Sequence, residues 1–326
     1  MGLIGRLALA GLVLAGVLGS VRGQETLVLG LQESGTVQWE IAAIRAAGLD
    51  EKHGVALDIR PLADSRAGQI ALQSGAVDVI LSDFVWVSVQ RGAGTMVTMV
   101  PHSLAVGGLV VPAGSAIAGV EDLAGRTIGV AGGPADKSWV VLQAHYASVT
   151  GERLAEAASA RFGAPPLVNE LLGSGGVDAG LNFWHWNARA KAAGMVEVLS
   201  VAEMFAALGV AEPPPLLGWT FTEATADARG EALRRFLDAS FEAKALLSAD
   251  DTAWEGLAGM MGAADDPALF AQLREDYRAG IVRGYDPADT QAAEQAFALL
   301  ARHGGSEVVA DQQALAPGTF WGGYRK

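Results

Sequence analysis

The sequence predicts an α/β chain made of two parallel-sheet units and a helical tail. Three observations predict it. Short β-rich runs alternate with helical patterns from Thr26 to Arg91, the alternation starts again near Gly107, and from Arg229 onward only helical periodicity remains. Strands that alternate with helices at this spacing build a parallel sheet covered on both faces.

The first unit opens with Thr26–Leu31, a β-rich run, then a polar stretch over residues 32–36. Trp39, Ile41, Ala42, Ile44 and Ala46 read as a helix that ends at Gly48. Val55–Ile59 is a strand, Ala67–Gln73 a short helix and Val77–Leu81 a buried strand. A loop is expected over Ser82–Trp86 and a helix over Val87–Arg91. In the second unit Leu109–Val111 and Thr127–Ala131 are strands, and residues 132–136 lead into a helix over Lys137–Ser148. Val177–Asn182 is a further strand that leaves at Phe183-Trp184-His185-Trp186. Pro213-Pro214-Pro215 is held extended by its fixed φ angles and reads as a connector before a strand over Leu216–Thr222. In the tail, Leu233, Phe236, Leu237 and Phe241 make one helical stripe. Asp266-Pro267 and Asp286-Pro287 are helix starts, since Asp caps free amides and Pro fits the first turn.

Ahead of these units, Arg6, the apolar run Leu7–Leu18 and the small residues after it have the form of a secretory leader, expected to be cleaved near Gly23. The run is too short to span a bilayer comfortably. Loss of Arg6 and Arg22 with it takes the net charge from −13 to −15. So acidic a chain argues against nucleic acid and anionic lipid as partners. The absence of cysteine excludes disulfides, thiol catalysis, thiolate metal sites and a lipid-modified cysteine.

Several runs in order carry a resemblance: Gly48-Leu49-Asp50-Glu51-Lys52-His53-Gly54-Val55, Gly75-Ala76-Val77-Asp78, Asp122-Leu123-Ala124-Gly125-Arg126-Thr127-Ile128-Gly129-Val130 and Gly175-Gly176-Val177-Asp178. With these, nearly all of the chain beyond the leader resembles the periplasmic substrate-binding proteins of nitrate, sulfonate and taurine type ABC transporters, a family that also contains thiamine-pyrimidine binders. The resemblance implies a two-lobed periplasmic-binding-protein (Venus-flytrap, type II) fold with a helical C-terminal tail. It divides the chain into a leader over 1–23, a first lobe over 24–108, a second over 109–215 and a return to the first lobe with the tail over 216–326. Crossing segments fall near Gly107–Pro112 and Leu216–Thr222. It further implies a periplasmic monomer that binds a small molecule between its lobes and hands it to an ABC permease in the inner membrane.

In open parallel sheets, ligands bind beyond the carboxyl ends of the strands, where helix N-termini converge. That rule selects Gln32, Glu33, Ser34, Thr36 and Trp39 after the first strand, and Ser82, Asp83 and Phe84 after the third. In the second unit it selects Gly133, Asp136, Lys137 and Ser138, then Asn182, Trp184 and His185. Five of the eight Trp fall in these loops or their first helical turns, which gives the site an aromatic character. The Gly132-Gly133 turn suits an anion, because glycines admit close backbone approach and a helix N-terminus favours negative charge. Asp136 competes for the same amides as a cap, and Glu33 and Asp83 with the Trp residues suit a cation or an amine. A zwitterion or polar heterocycle satisfies both. The resemblance singles out Trp184 as the aromatic that touches ligand.

No catalytic residue, cofactor or metal is assigned. The sequence has no nucleophile elbow, zinc-protease helix, Walker loop or dinucleotide fingerprint. The cysteine-rich motif of the pyrimidine-synthase branch of the fold is absent. Glu33, Asp83 and Asp136 form the one set open to a hard cation. The rival to transport is an accessory or sensor protein that keeps the same fold.

Overall fold

The computed structural model describes residues 25–326, apart from the side chains of residues 287–289, so the expected leader lies outside the described residues. Among the described residues there are ten strands: β1 Glu25–Gln32, β2 Val55–Leu62, β3 Val79–Asp83, β4 Val97–Ser103, β5 Gly108–Val111, β6 Thr127–Ala131, β7 Ser159–Gly163, β8 Ala179–Asn182, β9 Val196–Ser200 and β10 Leu217–Thr222. They form two five-stranded sheets, ordered β2-β1-β3-β10-β4 and β7-β6-β8-β5-β9.

The sheets are mixed, which corrects the expectation of parallel pairing throughout. β10 runs antiparallel to β3 and β4, and β5 antiparallel to β8 and β9. The reason is the route of the chain. β5 and β10 are the strands entered on crossing from the other sheet, so each starts where its neighbours finish. Leu217 pairs with Asp83 and Ser103, and Gly108 pairs with Asn182 and Ser200. Gly107, at φ +102°, makes the first crossing possible; a Cβ there would collide with the Asn182 carbonyl.

The two Gly-x-Val-Asp runs do the same work in each unit. Asp78 accepts from the Val28 amide (2.8 Å) and returns its own amide to the Val28 carbonyl (2.8 Å). Asp178 does both with Thr127 at 2.7 and 2.8 Å. Each aspartate therefore clasps the neighbouring strand, which fixes the register of the parallel pairs β1–β3 and β6–β8.

The loop expected over Ser82–Trp86 does not form: Ser82 and Asp83 finish β3, and a helix runs from Phe84 to Gly92. Likewise Phe183-Trp184-His185-Trp186 is a helix start, with Trp184–Ala192 helical. The first tail helix begins at Glu223, ahead of Arg229, with a break in helical geometry at Arg229 itself. Asp266 caps the Pro267–Ala279 helix by accepting from the Leu269 amide at 3.0 Å. The tail reaches past the first unit: Leu273 and Tyr277 pack with Ala188 of the second, and Phe297 and Leu300 share a core cluster with Val140 and Val141.

One charged pair is sealed in this architecture. Glu40 on the Val37–Ala46 helix is fully buried and meets the buried Lys244 at 2.8 Å. Ser240 donates to Glu40, Tyr277 OH lies 3.4 Å from its other oxygen, and Trp219 Nε1 donates to Ser240 at 3.0 Å. Lys244→Met should cost about 3–5 kcal/mol, the price of leaving one buried charge alone. Urea denaturation should show the Glu40→Gln/Lys244→Met double variant recovering much of that loss; an equal or greater loss would remove the pair from the account of stability.

Candidate functional site

A cavity of about 320 Å³ lies between the carboxyl ends of the two sheets. Five helices begin at its wall: Val37–Ala46, Ser65–Gln73, Phe84–Gly92, Lys137–Thr150 and Trp184–Ala192. Of the residues selected from sequence, Gln32, Thr36, Ser82, Asp83, Asp136, Lys137, Ser138, Trp184 and His185 line it.

The other six do not, each for a local reason. Glu33 and Ser34 are exposed on the turn beyond β1. Trp39 is one turn into its helix and buried, edge-on to Trp184 at 5.8 Å and close to Tyr277 at 5.9 Å, so it backs the wall rather than forming it. Phe84 is wholly in the core, tilted against Phe320. Gly133 belongs to a turn closed on itself by the Asp136 amide at 2.9 Å. Asn182 spends its side chain on the protein: it donates to the Pro165 carbonyl and Asn169 at 2.9 Å each, and accepts from the Phe183 amide at 2.8 Å. Glu33, Asp83 and Asp136 are not assembled as ligands either; among the described residues no group of three or more His, Asp or Glu is placed to hold a metal ion.

Sequence reasoning missed two sets of wall residues. Leu62 ends β2 and Asp64, Ser65, Gly68 and Gln69 follow it, and the positional rule applied to that strand would have found them, since Asp64-Ser65 ahead of a helical run is a cap signal. Ala105, Val106, Leu216 and Leu217 belong to the crossings, which border any space between the sheets.

Three helix starts at the wall are capped by carboxylates. Asp64 accepts from Ala67 N at 2.8 Å, Asp83 from Trp86 N at 2.9 Å, and Asp136 from Ser138 N and Trp139 N at 2.9 and 3.3 Å. Thr36 and Phe183 give the other two helices no side-chain cap. Lys137 Nζ reaches across from the second unit to Asp83 at 3.2 Å. Burial alone would lower the Lys137 pKa, but the Asp83 carboxylate, with Asp136 adding to it, more than offsets this and raises it, so the ammonium stays charged. Burial pushes the Asp136 carboxyl above its ordinary range, against the Trp139 and Ser138 amides and Lys137. Ser82 is 5% exposed, and its hydroxyl has no hydrogen-bond partner. Gln32 Nε2 donates to Ser65 Oγ at 2.6 Å, tying β1 to the helix after β2.

His185 is held neutral. Burial, with Arg189 adding to it, lowers its pKa from 6.5 to about 4. As pH falls through that window the unfolded chain takes up the proton first, so this contribution to stability is complete above pH 6.5 and is lost towards pH 4. Urea midpoints measured across the window should fall more steeply for the native chain than for His185→Asn; parallel curves would mean that the ring is free to protonate in the folded state.

A profile of the family described as NMT1/THI5 like matches residues 45–251. No curated protein matches the chain by sequence. Among solved structures, the alkanesulfonate-binding protein SsuA of Xanthomonas axonopodis pv. citri, bound to MOPS, is 18% identical with a TM-score of 0.67, over 91% of this chain and 98% of that one. The periplasmic aliphatic sulphonate binding protein SsuA of Escherichia coli is 17% identical with a TM-score of 0.68, over 89% and 97%. The desulfurization enzyme DSZB is 16% identical with a TM-score of 0.56, over 90% and 97%. At such identities the likeness is one of fold, and it gives this chain the two-lobed architecture that the sequence resemblance implied. The match over more than half its length makes the chain a member of the NMT1/THI5 like family.

Proposed function

We propose that the protein is the extracytoplasmic solute-binding component of an ABC import system. It takes a small polar organic solute between its lobes and delivers it to a membrane permease. Residues 25–108 and 216–326 make one lobe and residues 109–215 the other, with the tail helices packing on both. The observation that carries this reading is the cavity of about 320 Å³, walled by the helix starts of both sheets and by the crossings between them. A space of that size with an apolar lining and a few placed polar groups is what a small-molecule site requires.

Binding is favoured over catalysis by the chemistry of the wall. Among the described residues its one histidine is a weak base, with a pKa lowered to about 4, and its one lysine is engaged by Asp83. Neither side chain, among the described residues, is hydrogen-bonded to a serine or threonine hydroxyl, as a base paired with its nucleophile would be. Likeness to two sulfonate-binding proteins supports the same reading. Export through the leader over residues 1–23 would place the chain, as a monomer, in the periplasm. Among the described residues no helix is long and apolar enough to cross a membrane, and the chain's charge of −13 argues against nucleic acid as a partner.

A ligand that binds only the folded state raises its melting temperature. A thermal-shift screen of sulfonates, carboxylates, amines and heterocycles should therefore give at least one saturable shift. Silence across the whole panel would sink the solute-binding reading. With a ligand in hand, Trp184→Ala should weaken binding by about 2 kcal/mol or more, on the scale of aromatic hot spots. Unchanged affinity would assign Trp184 to packing against Trp39 and Tyr277 alone.

A further inference from the structure

The charges on the cavity wall point to the class of solute. Asp64, Asp83 and Asp136 each fill the amides at the start of one helix, where an oxyanion would otherwise bind. Three of the five helix starts at the cavity are thus occupied by the protein's own negative charge. Each cap uses only part of a carboxylate, which offers about four lone-pair sites. Lys137, the only lysine or arginine in the wall among the described residues, is already engaged by Asp83. His185 adds no charge at neutral pH.

A second observation is independent of the carboxylates. Ser82 lies in the same wall, is 95% buried by its 5% exposure, and its hydroxyl oxygen has no hydrogen-bond partner. A buried unpaired hydroxyl is costly unless a ligand or water satisfies it, and its lone pairs can accept from an N–H donor. Trp184 lines the same cavity and brings to it an aromatic side chain, of the kind that attracts cations.

Resting on the solute-binding reading above, we infer that the cleft selects a solute bearing a protonated amine, received by the capping carboxylates and Ser82, and discriminates against oxyanions that lack one. The uncapped starts at Thr36 and Phe183 leave amides for an acceptor elsewhere on the same solute. An anion without the amine would meet carboxylates at the other three starts.

The test pairs ammonium solutes with the sulfonate and carboxylate of the same carbon skeleton, starting from benzylammonium and phenylmethanesulfonate, by thermal shift and titration calorimetry on the full chain. The ammonium members should bind roughly tenfold more tightly or better, a difference of about 1.4 kcal/mol. An oxyanion member that binds as tightly or more tightly overturns the inference and leaves solute binding standing. No binder on either side overturns the inference, while solute binding falls only if the wider screen, heterocycles included, is silent as well. Asp136→Asn keeps a capping side chain and removes its charge. It should weaken the ammonium probe by roughly tenfold. Asp64→Asn, on an exposed cap, is the second variant should Asp136→Asn not fold, and it should weaken the same probe in the same direction. Ammonium binding left unchanged by these substitutions overturns the role of the carboxylates.

Discussion

The chain crosses between its two sheets from the side of the cleft, and that route decides the rest. A strand entered on crossing begins at the cleft, so β5 and β10 must run against the sheets they join. The other four strands of each sheet then end at the cleft. Helices that follow β1, β2, β3, β6 and β8 start there, and their first turns meet around one space. The cavity is a consequence of the two reversals. Gly107 carries the constraint at its tightest point, because the first crossing passes against the Asn182 carbonyl with no room for a side chain.

Beneath this space the packing is polar as well as aromatic. Thr36, Leu81, Ala105, Trp184 and Leu217 separate the cavity from a smaller chamber that touches His102, Lys244 and Tyr277. At about 20 Å³ that chamber can hold roughly one water. His102 Nδ1 is buried there without a hydrogen bond, and burial, with Lys244 adding to it, keeps the ring well below its ordinary pKa. Trp184 belongs to both levels. It walls the cavity and also packs edge-on against Trp39 and Tyr277. A contact made to a solute at Trp184 therefore bears on helices from the first unit and the tail, which are held in turn by the Glu40–Lys244 pair.

Much of the fold was legible because its central strands carry continuous apolar runs. Thr127–Ala131 and Leu109–Val111 read as strands for that reason. Three strands escaped, β4, β7 and β9, and all three are sheet edges. β7 is largely exposed and β9 only partly buried, and neither carries a continuous apolar run. β4 contains Pro101, which argues against a central strand and is tolerated at an edge. Reversal of β5 and β10 left no local mark, because strand direction is a property of the route and not of any residue. In the site, the positional rule found residues on the first helical turns. It failed at Trp39 and Phe84, where helical rotation turns the next large side chain into the core. It failed at Asn182 because a polar side chain at a strand end can serve the backbone as readily as a solute.

The capping aspartates join stability to recognition. Ser, Thr, Asn and Asp cap a helix start to within about 1 kcal/mol of one another. Exchange among them at Asp64 or Asp136 therefore costs the fold little, yet adds or removes a full charge at the cavity wall. Asp83 is the least free of the three, because the Lys137 bridge between the units depends on its other oxygen. Asp64 is exposed and bound only to its own helix, and Asp136 is tied to Ser138 and Trp139 of the helix it starts. Those two positions can change the charge presented to a solute while leaving the crossings, the reversed strands and the buried Glu40–Lys244 pair untouched. On the proposed recognition, such a scaffold separates the residues that set its shape from those at the capped helix starts that set its selectivity.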